Sequence, residues 1–178
     1  MKRYFLVQRT ISQKCIELTS NTPKIRYIHG DQQLLGDIAL LWEGLNQHHL
    51  QLSKDFKQDY QQLTFEKRKT ALLGKMKGGK MRVDIAVDDG SGQNVGYCVS
   101  SVSQCRMGEI ESIFVAVNYR GLGVGDALLR KALAWLDAEG AETKVVEVGA
   151  GNEDAFGFYA RYGFLPRKIV LKQVKLRE

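Results

Sequence analysis

The chain has 178 residues, 44% of them hydrophobic and only two proline, which is enough for one well-buried core and short for two. No apolar run reaches the roughly 18 residues needed to span a bilayer, and only residues 4–7 stand where a secretory segment needs about 7–15 apolar positions. The expectation is a soluble cytoplasmic protein with no membrane partner. Cys15, Cys98 and Cys105 are odd in number and lack metal-ligand spacing, so reduced packing residues are expected, with neither a disulfide framework nor a metal site. The net charge of +6 is concentrated in residues 65–82, which hold seven basic side chains and one acidic one, Glu66. Few aromatics interleave there to stack bases, so a solvated basic face is favoured over a nucleic-acid partner.

No repeat or low-complexity linker divides the chain, and residues 1–178 read as one domain. Residues 4–7 and 15–18 are short strand-like pieces, an extra edge hairpin within 1–22. Residues 24–29 alternate as a strand, after which Gly30 and Asp31 supply a turn and a helix N-cap. Leu35, Ile38, Trp42, Leu45 and His49 fall on one helical face, and a second, more basic helix over 65–76 ends at Gly78-Gly79. The period then changes to two: 81–87, 94–102 and 109–117 read as strands joined by polar turns at 88–93 and 104–108, an antiparallel meander. After a glycine-rich loop, Val124, Leu128, Ala132, Trp135 and Leu136 return to helical spacing up to Gly140. A strand over 143–148 follows. Asn152 then stands where a helix cap would, ahead of a helical face of Ala155, Phe158, Tyr159 and Tyr162; Gly163 stops that helix, and residues 164–174 form a last strand. The order predicts an α/β fold with a central mixed sheet and helices on both faces.

The most informative stretch is 113–129, a strand, a glycine-rich turn and a helix. Its glycines let backbone N–H groups converge at a helix N-terminus, where a pyrophosphate is the natural occupant. It is not a P-loop, because Gly125 is followed by Asp126 and Ala127 where Lys and Ser/Thr are required. Nor is it a good dinucleotide fingerprint, because Gly121, Gly123 and Gly125 occupy first, third and fifth places instead of first, third and sixth.

Arg120, Gly123 and Gly125 do match Arg/Gln-x-x-Gly-x-Gly/Ala, and the stretch resembles the acetyl-CoA-binding signature of the GCN5-related N-acetyltransferase (GNAT) family. A strand ending Ile113-Phe114-Val115 precedes it and paired Leu128-Leu129 follow it, as in that family. A second family element is matched by Asn152, Ala155, Phe158-Tyr159 and Gly163-Phe164. The resemblance covers about 81–174, the acetyl-CoA-binding half; residues 24–80 correspond to the more variable acceptor half. It implies direct transfer of an acetyl group from acetyl-CoA to an amine, with no metal. Cofactor contacts are then expected from Ile113, Phe114, Val115, Arg120, Gly121, Leu122, Gly123, Val124, Gly125, Asp126, Asn152 and Phe158.

In that scheme the Val115 N–H polarises the acyl carbonyl, Ile113 lies beside the pantetheine arm, and Tyr159 protonates the leaving thiolate. Glu109 and Glu111, expected on one strand face with Ile113 and Val115, are the candidate bases. Each assignment has a plain alternative: a packed aromatic for Tyr159, a helix cap for Asn152, and edge carboxylates without a role for the glutamates. His48 and His49, adjacent on a helix, point apart; one of them lining the acceptor pocket is the sharper reading, and a packing histidine the commoner outcome. The acceptor is expected to be a small-molecule primary amine, with a protein lysine or N-terminus as the alternative. A CoA-binding module without turnover is the competing class. The family also offers a homodimer through the last strand.

Overall fold

The computed structural model describes residues 22–173. Five strands form one sheet in the order β1-β2-β3-β4-β5: Ile25–Gly30, Lys80–Asp88, Asn94–Val102, Met107–Val115 and Thr143–Val146. The first four are antiparallel neighbours and β5 runs parallel to β4, so the sheet is mixed as expected. The strand expected over 94–102 is β3 residue for residue, and it is buried on both faces.

Helices cover both faces. On one lie a 3-10 turn (Gln32–Ile38), α1 (Ala39–Leu52) and α3 (Phe65–Lys75), which bury Leu35, Ile38, Trp42, Phe65 and Leu72 against Val83, Ile85, Val87, Tyr97 and Val99. On the other lies α4 (Val124–Ala138), whose Leu128, Leu129, Ala132 and Leu136 pack on Ala86, Cys98, Val102 and Ile110. Asp31 caps the first element as expected, its carboxylate accepting from the Gln33 N–H at 2.9 Å, but the chain winds as 3-10 before becoming α-helical at Ala39. A short helix that the pattern did not suggest, α2 (Lys57–Gln62), connects α1 to α3.

Several boundaries differ from the sequence reading. Strand β4 ends at Val115 because Val117–Tyr119 turns as a 3-10 helix, and β5 stops at Val146 instead of 148. Residues 164–173 form no strand: Pro166 lacks an N–H for a ladder, and Leu165, Ile169, Val170 and Leu171 are exposed. Cys98 is fully buried, as a packing residue, while Cys105 is exposed. The expected hairpin in 1–22 lies almost wholly outside the described residues, as does Cys15.

The basic run of 65–82 is largely engaged within the molecule. Lys67 donates to the Gln62 carbonyl, Arg68 and Lys75 pair with Glu111, Lys80 with Glu139, and Arg82 with the buried Asp84. Among the described residues no helix is long and apolar enough to cross a membrane.

Candidate active site

Strand β4 contains an irregularity that organises the site. Val99 pairs with Ser112 and Ser100 with Ile110, so Glu111 is an extra residue with no partner on β3, a β-bulge. A bulge shifts the side-chain phase of everything after it. Ile110, Ile113 and Val115 therefore all face α4, while Glu109, Glu111 and Phe114 face α1 and α3. The expectation that the two glutamates share a face with Ile113 and Val115 is corrected by this one residue.

Strand β5 pairs only with residues 107–110 of β4, at Met107↔Thr143 through Ile110↔Val146. Beyond the bulge the two strands part and leave a fork. The Ala116 N–H donates to the Val95 carbonyl at 2.9 Å. By alternation the N–H groups of Val115 and Ile113 point the other way, into the fork.

The glycine-rich loop leaves the end of this strand. It is anchored by Tyr119, whose hydroxyl donates to Asp88 Oδ2 at 2.9 Å, and Asp88 also accepts from Ser91 and the Gly90 N–H. These bonds hold the Asp88 carboxyl below its ordinary pKa. Gly121 and Gly123 both have φ of 77°, a conformation that costs a residue with a Cβ about 1–2 kcal/mol, and the space beside both is open. Helix α4 starts at Val124, and the backbone N–H groups of residues 121–126 have no acceptor among the described residues. Unpaired N–H groups at a helix N-terminus are suited to an anion.

Arg120 folds back over the strand end, its Nε donating to the Val115 carbonyl at 3.0 Å and its guanidinium 5.5 Å from the Phe114 ring centroid. Gly125 sits beneath Phe158, where a Cβ would lie 3.6 Å from the ring. Asp126 turns toward α5 (Ala155–Ala160) and beyond, accepting from the Tyr162 hydroxyl and pairing with Arg161 at 3.1 Å. Leu122 is exposed on the loop and Val124 is buried below it.

Tyr159 packs edge-on to Phe158 at 5.2 Å and to Phe164 at 6.1 Å, in the cluster on the α4 side that includes Ile113 and Val115. Burial raises its phenol above the ordinary tyrosine range, and its hydroxyl makes no hydrogen bond among the described residues. Asn152 is not the cap of α5. That position belongs to Asp154, and Asn152 takes part through its backbone, its N–H donating to Gly149 and its carbonyl accepting from Ala155.

Glu111 is nearly inaccessible and held by three groups: Lys75 at 2.8 Å, Arg68 at 3.3 Å and the Ser101 hydroxyl at 2.8 Å. Glu109 pairs with Lys75 at 2.5 Å. Burial alone would lower Lys75, but the hydrogen bonds and charges of the two glutamates raise it overall. The structure thus brings the loop, Ile113, Val115, Phe158 and Tyr159 together and sets the glutamates on the opposite face of the strand. Sequence reasoning missed the Tyr119–Asp88 anchor and the bulge. The second had a visible signal, since Ile110 and Ile113, three apart, can share a face of a strand only across an irregularity.

The Acetyltransferase (GNAT) family model matches residues 45–164. An uncharacterized N-acetyltransferase from Methanocaldococcus jannaschii is 35% identical over 80 residues, 43% of this chain, which spans only 35% of that relative's length. A GCN5-related N-acetyltransferase from Ralstonia eutropha superposes with a TM-score of 0.64 at 16% identity, over 85% of this chain and 99% of that one. The aminoglycoside N-acetyltransferase AAC(6')-Iy, in complex with CoA, gives 0.60 at 16% identity over 89% and 100% of the two chains. These two share the fold. With a family match across most of its length, and with the resemblance carried by Arg120, Gly123 and Gly125 recovered independently, the chain belongs to the GNAT acetyltransferase family.

Proposed function

We propose that this protein transfers the acetyl group of acetyl-CoA directly to the primary amine of a small molecule. The observation that carries the reading is the unsatisfied row of N–H groups over residues 121–126, opening α4 at the end of a strand whose outer edge is free. Such donors suit an anion rich in oxygens, and the open space at Gly121 and Gly123 suits one as wide as a pyrophosphate. The residues therefore fit the cofactor. Leu122, Val124, Gly125 and Asp126 offer it backbone, Arg120 a cation at the fork's mouth, and Ile113, Phe114, Asn152 and Phe158 the walls of the channel.

Acetyl-CoA supplies an acyl carbon activated as a thioester. The chain supplies the polarising N–H of Val115, directed into the fork, and a proton donor in Tyr159. Tyr159 carries its phenol proton at pH 7, as an ordinary tyrosine does, and is the group of this cluster that can donate one to a departing thiolate. Of the candidate bases, Glu111 has both carboxylate oxygens engaged by Lys75, Arg68 and Ser101, and Glu109 has one of its two engaged by Lys75. In this reading they fix the bulge, and with it the direction of the Val115 N–H. Support for a small acceptor comes from α1. It crosses one face of the fork, from Gly44 over Phe114 on β4 to Leu52 against Gly151 beyond β5.

Calorimetric titration with acetyl-CoA, compared with NADH, tests the reading, followed by a screen of small amines against lysine peptides. Micromolar binding of acetyl-CoA and none of NADH is expected; absence of acetyl-CoA binding would falsify it.

A further inference from the structure

The face of the fork covered by α1 is built around one imidazole. A Cβ on Gly44 would lie 3.1 Å from the Phe114 ring, and five residues later the Nδ1 edge of His49 lies 3.5 Å from the Cβ position of Gly149, past the end of β5. Asn46 clamps α2 against α1, its Nδ2 donating to the carbonyls of Tyr60 at 2.9 Å and Leu63 at 3.3 Å. The clamp stacks the Tyr60 ring on His49, with centroids 5.5 Å apart and planes 21° apart, and brings the Tyr60 hydroxyl within 2.9 Å of the same Gly149 position. A side chain at 149 would crowd the Tyr60 hydroxyl. Helix α1 thus reaches from Phe114 on β4 to the loop beyond β5, with His49 at the second of these.

The charged and titratable groups around the ring leave it without a carboxylate partner. His48 stands 6.0 Å away on α1; on α2 the ring meets Tyr60, and the neighbouring Asp59 is paired with Lys172. No hydrogen bond fixes either ring nitrogen among the described residues. Burial and, secondarily, His48 lower its pKa below the ordinary histidine value, so the ring is neutral at pH 7 with a nitrogen lone pair available.

We propose that His49 is the proton acceptor for the incoming amine, a step that rests on the acetyl-transfer reading above. An imidazole nitrogen takes one proton from the ammonium form of the acceptor and later releases it to solvent. The freed amine lone pair forms the C–N bond to the acyl carbon as the C–S bond breaks. Tyr159 protonates the thiolate, and the second amine N–H proton restores the phenol, so one proton is released per turnover.

The chain has three histidines, His29, His48 and His49, which makes carbethoxylation by diethyl pyrocarbonate a residue-resolved probe when peptides are read by mass spectrometry. Saturating acetyl-CoA is expected to slow modification of His49 at least tenfold. The fragment 3′,5′-ADP, which fills only the nucleotide end, leaves it unchanged, and His29 on β1 is unaffected by either. An unchanged His49 rate in a sample where calorimetry shows acetyl-CoA bound overturns the proposal. No binding at all overturns the acetyl-transfer reading, and this proposal with it. With ethylamine as acceptor, His49→Gln is expected to lower kcat about 100-fold and remove the acidic limb of its pH profile; an unchanged limb overturns the assignment. If that variant does not fold, the protection result on the unaltered protein decides.

Discussion

The two halves of β4 use the same backbone for opposite ends. Residues 108–110 are laddered on both edges, to β3 and to β5, whereas residues 112–115 are laddered to β3 alone. The first half is scaffold. The second keeps unpaired N–H groups directed into a fork and delivers the chain to a loop that also leaves its donors unpaired. Backbone donors left without a protein partner at a helix N-terminus are suited to an anion, which is what the proposed cofactor offers them.

The contrast is broken most completely by filling the loop with charge. Gly123→Glu puts a carboxylate where the N–H groups converge, and like charge against a pyrophosphate costs about 2–4 kcal/mol, roughly a 30- to 1000-fold loss of acetyl-CoA affinity. The left-handed backbone at Gly123 adds about 1–2 kcal/mol of destabilisation. Calorimetry and a thermal melt separate the two: a binding loss without unfolding is expected, and retained affinity would remove the main support for the anion site.

Tyr159→Phe tests the chemistry of the fork without its architecture. The ring keeps its edge contacts with Phe158 and Phe164, while the transferable proton is gone. The expected result is a kcat about 100-fold lower with acetyl-CoA affinity changed less than threefold. A kcat within threefold of the unaltered protein would return Tyr159 to the status of a packed aromatic.

Glu111→Gln sharpens the comparison at the hinge between the halves. The carboxylate is nearly inaccessible, but Lys75 is part-exposed and solvent screens it, so the loss is set between that of a buried and a surface pair, about 2 kcal/mol. Denaturant unfolding measures it. A kcat that drops together with stability, and recovers when a lower temperature restores the fold, is expected of a bulge-fixing residue; a temperature-independent drop is expected of a direct base.

Much of this was legible in the sequence because burial writes itself as periodicity. The stripe Val124, Leu128, Ala132 and Leu136 and the glycines at 121 and 123 each have one physical cause, and each stands where it was expected. The site's other parts have two causes competing at one residue. Glu111 satisfies strand alternation and ion pairing alike, so the only trace of the inserted residue in the sequence is the three-residue spacing of Ile110 and Ile113. The strand expected over 164–174 has the right apolar residues, yet Pro166 denies it a ladder. His49 fitted the buried stripe of α1; what distinguishes it is a contact with Gly149, 100 residues away, which no local pattern can carry.

The smallest effect concerns that same imidazole and is read in stability alone. Burial depresses the folded-state pKa of His49, so the folded protein binds its proton less readily than the unfolded chain. Stability from this group is therefore fully present above the unfolded value of about 6.5 and is lost as pH falls through the folded value. Other groups also titrate: Asp88 and Glu153 are lowered too, but from carboxylate values, so their contribution is lost further into acid. The measurement is a difference of melting temperatures between the unaltered protein and His49→Gln across pH 4.5–8. The gap should be constant above about pH 7 and should change below it in favour of the variant, which has no imidazole to protonate beside His48. A difference that stays flat through the whole range would mean that the ring is as hydrated in the fold as out of it, and that α1 and α2 do not close over the fork at that point.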